Sequence, residues 1–287
     1  KVNSHENQNN NFSELNLNKN DYIELRAIGS GSSFMVSLIY QIENGQLFAL
    51  KKPISYNCEM QTLFDRELKN YKMMNNHLFL PKFYGKVKDR DFEFLIIQFI
   101  DGQILQNYNI NKLKYEDKII IIFELIIIIK YFHDNKFIYR DLKPNNIIID
   151  SNQNIFVIDF DRMILFDDLQ KISSFTTDFA SNFVAPEVNY GKYSYECDIY
   201  SLGKMINFIM KELELNKNLH LYNIYKKCIS ETPKKRPSIL ELMIEFYTVF
   251  SEIINESKIS EYSEVKYLKG IFNFDKKYIE QNINKAI

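Results

Sequence analysis

This chain of 287 residues lacks tryptophan altogether, has three cysteines, six prolines and eight glycines, and carries almost no net charge. Each shortage excludes something. Cys58, Cys197 and Cys228 are odd in number and far apart, which argues against a disulfide framework and against a zinc site. A reduced, cytoplasmic setting is the simple expectation. The 36 Lys and Arg residues against 37 Asp and Glu leave a charge of −1. That balance gives no reason to expect a nucleic-acid partner or an acidic membrane surface. The longest apolar run, Ile119 to Ile129, is interrupted by Glu124 and is shorter than the roughly 20 residues a bilayer span needs. No signal-peptide pattern opens the chain. What is present is an ordinary globular composition, 46% hydrophobic and 25% charged, in a chain long enough for two lobes with sizeable cores.

Residues 1–20 are rich in Asn and poor in large apolar side chains, which predicts disorder. From Tyr22 the pattern alternates and leads into Gly29 and Gly31. A second strand is predicted over about 34–40, an Asn44-Gly45 hairpin turn, and a third strand over 46–52 that ends before Pro53. A helix follows over about 59–74 with Leu63, Glu67 and Tyr71 on one face, then two strands near 83–87 and 92–99. Beyond Gly102 the character turns helical, with helices expected near 117–132, 195–213, 221–229 and 238–250, and short strands near 147–149 and 155–158. The predicted organisation is a small β-rich lobe over 21–100, a larger helical lobe over 101–255, and a helical extension over 256–287.

Several residues carry chemistry. Gly29 and Gly31 would let backbone amides approach an anion with no β-carbon in the way. Lys51 ends an apolar strand, so its stem is buried and its ammonium needs an acid; Glu67 on the following helix can supply it. The segment 139–146 reads Tyr-Arg-Asp-Leu-Lys-Pro-Asn-Asn, which gathers the acid Asp141, the cation Lys143 and the amide Asn146 into one loop. Thirteen residues past Asn146, Asp159 ends an apolar strand, as a magnesium ligand requires.

With these residues in view, the chain resembles the eukaryotic protein kinase superfamily, serine/threonine-like, over about residues 22–250. The resemblance implies an α+β, bilobal protein kinase fold: a small five-stranded antiparallel β lobe with one helix, and a larger α-helical lobe. It implies an ATP- and Mg2+-dependent serine/threonine kinase acting on a protein substrate. Gly29, Gly31 and Val36 match the glycine-rich loop, and Lys51 and Glu67 its ion pair. Asp141 matches the catalytic base, Lys143 the cation that faces the γ-phosphate, and Asn146 and Asp159 the magnesium ligands. Ile28, Val36, Ala49 and Ile148 would flank adenine, the backbone of Gln98 and Ile100 would bond it, and Ile97 would be the gatekeeper. Ala185-Pro186-Glu187 matches the end of the activation segment, with Arg236 as partner of Glu187. Arg140 would pair with a phosphate on Thr176 or Thr177.

Some positions depart from the family pattern. Phe34 replaces the third glycine of the loop and would stiffen it. Tyr139 replaces a histidine, Asp161 a glycine, and Ala180 the usual threonine. Only 38 residues separate Asp198 from Arg236, which implies that the helix called G is missing. Neutral residues stand where kinases that favour arginine place acids. These departures keep open a second reading, a pseudokinase used as a binding module. The spacing of Leu268, Gly270 and Phe272 resembles a Sel-one-like helical repeat, which implies a longer protein with partners bound through downstream repeats.

Overall fold

The computed structural model describes residues 14–74, 77–89, 92–171 and 182–253. They divide into two compact units, one ending at residue 75 and resuming over Pro81–Ile100, the other holding residues 76–80 and everything from Asp101.

The N-terminal unit is a sheet of six strands and one long helix. Its strands are β1 (Leu15–Asn18), β2 (Tyr22–Ser30), β3 (Phe34–Gln41), β4 (Leu47–Pro53), β5 (Phe83–Asp89) and β6 (Phe92–Gln98), in the order β1-β5-β6-β4-β3-β2. The helix is α1 (Cys58–Met73), opened by the Asn57 side chain, which accepts the Met60 N–H at 2.8 Å. Five strands are antiparallel neighbours, as the alternation in the sequence requires. The sixth, β1, lies in the stretch expected to be disordered through residue 20. It pairs parallel to β5, with Leu15 opposite Gly85 and Leu17 opposite Val87. Two leucines at a spacing of two are enough to seat it, because Leu17 joins the core of Ile39, Phe48, Leu50, Val87, Phe94 and Ile96. Gly85 makes the approach possible: at φ 153°, its β-carbon would lie 2.0 Å from the Leu15 carbonyl oxygen. The turn after β3 spans five residues rather than two, with Gly45 at φ 72°. On α1 the buried face is Phe64, Glu67, Asn70 and Tyr71, with Leu63 at its margin.

The C-terminal unit is built on α2 (Tyr115–Asp134), whose Ile119–Ile129 stretch is buried on every side. That continuous apolar run reads as a core helix because it packs against both α3 (Tyr195–Leu215) and α5 (Ile239–Ile253). Around it stand β7 (Gly102–Ile104), β8 (Phe137–Ile138), β9 (Ile147–Asp150), β10 (Ile155–Val157), β11 (Ile164–Leu165) and α4 (Leu219–Cys228). The strands form two small sheets, β10-β9-β7 and β11-β8. Only residues 216–218 separate α3 from α4, so no helix intervenes there. Residues 77–80 belong to this unit through contacts of their own: the Phe79 carbonyl accepts the Val157 N–H at 2.8 Å, and His77 lies 4.3 Å from the Tyr131 ring. Burial pushes the His77 imidazole down to about 4, so it packs as a neutral ring.

Candidate active site

In the N-terminal unit, strand register assembles one row of side chains. Gly29 pairs with Val36, Val36 with Lys51, and Lys51 with Leu95. Directly paired residues share a face of a sheet, and so do residues two apart. Ala49 and its partner Ile97 therefore lie on the same face as Lys51. Lys51 is 5% exposed, and its ammonium sits 2.5 Å from Oε1 of the fully buried Glu67. Phe34 covers the same ammonium, its ring centroid 4.5 Å away. The sequence suggested only stiffening bulk at that position; the ring is instead a buried cation–π partner of Lys51.

Gly29 and Gly31 have no need of glycine from the fold itself. An added β-carbon would meet Val36 or the Phe34 carbonyl at 3.8 Å, ordinary contact, and neither residue has a left-handed φ. At Gly102 and Gly203 the same atom would lie 2.5–2.7 Å from neighbours. Among the described residues no side chain crowds either position, although the Gly31 N–H already donates to the Phe34 carbonyl at 2.8 Å. The Gln98 N–H donates to the Lys82 carbonyl at 2.8 Å, which narrows any adenine contact at Gln98 to its carbonyl. Ile28 and Val36 are half-buried; Ala49 and Ile100 are buried.

In the C-terminal unit a chain of hydrogen bonds does the positioning. Asp198 of α3, wholly buried, accepts the backbone N–H of Tyr139 at 2.9 Å and of Arg140 at 2.8 Å, and its Oδ2 lies 3.0 Å from His133 Nε2. Arg140 holds φ 71° and Asp159 φ 70°, a region costly for residues other than glycine. The Asp198 bonds keep the first of these in place. Next to it, Asp141 is 5% exposed; Lys143 Nζ lies 2.8 and 2.9 Å from its two oxygens, and the Asn146 amide nitrogen 2.8 Å from Oδ2. Desolvation pushes the Asp141 carboxyl above its ordinary range, and Lys143 opposes that shift.

Tyr139 packs 6.2 Å from Phe160, and its hydroxyl donates to the Ile158 carbonyl at 2.6 Å, one residue before Asp159, a bond the sequence does not announce. The Arg140 guanidinium lies over the Tyr193 ring at 4.1 Å and donates to the Arg162 carbonyl at 3.1 Å. Ile148 is half-buried on β9. Glu187 pairs with both nitrogens of Arg236, at 2.5 and 2.8 Å, and holds its carboxyl below the usual range through that bond despite partial burial. Thr176, Thr177 and Ala180 lie outside the described residues, as does the 256–287 extension.

Among the described residues no three His, Cys, Asp or Glu side chains cluster as a metal cage. Asn146 and Asp159 supply two oxygen donors, which suits Mg2+, a cation that takes few protein ligands and completes its shell with phosphates and water. No helix among the described residues is long and apolar enough to cross a membrane.

Comparison with known proteins gives the family. A protein kinase domain model matches residues 22–220. The carbon catabolite-derepressing protein kinase of Candida glabrata is 29% identical over 65% of this chain and 31% of its own length. The cAMP-dependent protein kinase type 3 of Saccharomyces cerevisiae is 24% identical over 86% of this chain and 69% of its own. The ovarian-specific serine/threonine-protein kinase Lok of Drosophila melanogaster is 31% identical over 66% of this chain and 43% of its own. The chain spans about 30% of the length of the carbon catabolite-derepressing protein kinases of Candida glabrata and Saccharomyces cerevisiae. It belongs to the protein kinase domain family, and its α+β architecture is the one that family has.

Proposed function

We propose that this member of the protein kinase family moves the γ-phosphate of Mg-ATP onto serine or threonine hydroxyls of a protein substrate. The observation that carries the reading is the Asp141 cluster: a buried carboxylate held between Lys143 and Asn146, in a loop anchored by Asp198.

Asp141 accepts the proton of the attacking hydroxyl at a carboxylate oxygen. Its raised pKa moves it toward the working pH, where a general base is most effective. Lys143, bonded to that carboxylate, offsets negative charge on the group in transfer. Lys51, fixed by Glu67 and covered by Phe34, presents its ammonium to the α- and β-phosphates, and the backbone at Gly29 and Gly31 cradles phosphate oxygens. Asn146 and Asp159 would hold Mg2+, which when bound neutralises phosphate charge and orients the leaving oxygens. Adenine would contact the carbonyl of Gln98 and the backbone of Ile100, beside Ile28, Val36, Ala49 and Ile148.

Lys143, two residues after Asp141, and the names of the relatives support serine or threonine as acceptor. The cytoplasm is the proposed location, supported by three cysteines that are all free thiols. Regulation through Arg140 and a phosphate on Thr176 or Thr177, and partners bound through a repeat after residue 256, are further parts of the reading.

A second reading, a pseudokinase used as a nucleotide-responsive binding module, is favoured by Asp161. This buried acid stands two residues from Asp159, where the family has glycine. Incubation with Mg-ATP and a generic protein substrate, followed by phosphoamino-acid analysis, separates the two. Phosphoserine or phosphothreonine is the expected product. A Mg-ATP-induced rise in melting temperature without any transfer would favour the pseudokinase.

A further inference from the structure

Phe34 departs from the family pattern and touches the site directly. Strand register puts it there. Phe34 pairs with Pro53 and Val36 with Lys51, so Phe34, Val36 and Lys51 stand on one face of the sheet. Glycine at this position would place no side chain on that face. Phenylalanine does, and it is 4% exposed, with its ring centroid 4.5 Å from Lys51 Nζ.

The backbone under the ring is held from two sides. The Gly31 N–H donates to the Phe34 carbonyl at 2.8 Å, and the Ser33 carbonyl accepts the Ile54 N–H at 3.0 Å. The 31–34 turn is thus tied to itself and to the residue that follows β4. The ring therefore leaves Lys51 by rotation about its own side-chain bonds, between staggered wells, without movement of the loop.

Lys51 is where nucleotide phosphate arrives in the kinase reading. Its side chain is 6% exposed, so a phosphate oxygen reaches hydrogen-bond distance of Nζ only when a covering group moves. The Glu67 carboxylate, wholly buried on α1, lies 2.5 Å from Nζ; the Phe34 ring is the neutral cover. Breaking a buried ion pair is the costlier change. A cation–π contact is the weaker one, and weaker than a charge-assisted bond from ammonium to phosphate, so phosphate displaces the ring and leaves Glu67 in place. Adenosine carries no phosphate and has no use for Lys51.

We propose that Phe34 is a specificity-determining residue of the nucleotide site: its ring holds the place on Lys51 that a nucleotide phosphate takes, and it turns away when a nucleoside diphosphate or triphosphate binds. The proposal rests on the kinase reading above and adds a selectivity to it. Affinity for nucleotides is held down by the population that keeps the ring on Lys51, while affinity for the unphosphorylated nucleoside is not.

The test is isothermal titration calorimetry of the full chain, Phe34→Gly and Phe34→Leu, each with Mg-ADP and separately with adenosine. Glycine takes the ring away. Leucine keeps apolar bulk without a π face, and it guards against a glycine variant that does not fold. Mg-ADP should bind about tenfold tighter to Phe34→Gly and about threefold tighter to Phe34→Leu than to wild type, while adenosine stays within about twofold. The chain has no tryptophan, so Phe34→Trp introduces a single indole at this position. Mg-ADP should shift its emission to the red as the indole leaves its buried seat, and adenosine should not. Equal Mg-ADP affinity in all the proteins, or an equal gain for adenosine, would overturn the proposal and leave the kinase reading standing. An indole emission that does not respond to saturating Mg-ADP would do the same. Absence of Mg-ADP binding by wild type and every variant would overturn the kinase reading and the proposal with it.

Discussion

The two units position their key side chains by different means. In the N-terminal unit regular structure does it. Lys51 stands in a strand row with Gly29 and Val36, and Glu67 reaches it from a helix packed nearby. In the C-terminal unit no strand or helix carries Asp141. Its loop is held by Asp198, 57 residues away in sequence, through two backbone bonds that keep Arg140 at a left-handed φ. A residue placed by sheet register draws on many weak contacts and tolerates the loss of any one. A residue placed by a short polar chain depends on each link.

That contrast can be broken by mutation, the largest effect first. Asp198→Ala removes the acceptor for two buried N–H groups, and should lower unfolding free energy by about 4 kcal/mol. Urea denaturation would measure it, and transfer activity should fall with it; a loss below about 1 kcal/mol would mean the loop is held otherwise. Glu67→Ala removes the buried carboxylate that bonds Lys51 and should cost about 3 kcal/mol. Hydrogen exchange should rise in α1 and β4 while the amides of Tyr139 and Arg140 stay protected. Loss of protection in that loop would erase the distinction between the units. Gly85→Val drives a side chain into the Leu15 backbone, so β1 should detach and expose Leu17, at about 2 kcal/mol. Exchange at residues 15–18 would report it.

The last test concerns pH and reads a slope rather than a single loss. Glu124 is buried on α2, and desolvation, with Asp150 nearby, pushes its carboxyl up to about 8. The folded chain then keeps a proton that the unfolded chain releases near pH 4.5. Stability contributed by this group falls as pH rises from 4.5 toward 8. The slope is at most about 1.4 kcal/mol per pH unit. Glu124→Gln should flatten the urea midpoint between pH 5 and 8; an unchanged slope would assign it to other groups.

How much of this was legible in the sequence follows from where the information lies. The strands β2 to β6, the helices and the chemistry-bearing residues announce themselves through alternation, apolar runs and fixed spacing. Asp141, Lys143 and Asn146 sit within one loop, so their meeting follows from the chain alone. β1 was missed because two leucines among asparagines give little hydrophobic signal; its place depends on Gly85, 70 residues later than Leu15, which leaves room for it. The cover of Lys51 by Phe34 and the stacking of Arg140 on Tyr193 are tertiary contacts with no local pattern. The bond from Tyr139 to the Ile158 carbonyl, likewise, needs the loop and β10 to be brought together first.

The central claim is that Asp141 is the base of a phosphoryl transfer. The most direct measurement compares wild type with Asp141→Asn for transfer from Mg-ATP and, in parallel, for the Mg-ATP-induced shift in melting temperature. The account predicts that the variant loses about 10²–10⁴-fold in kcat, the range for a general base, while keeping its thermal shift. Transfer by the variant at the wild-type rate would contradict it.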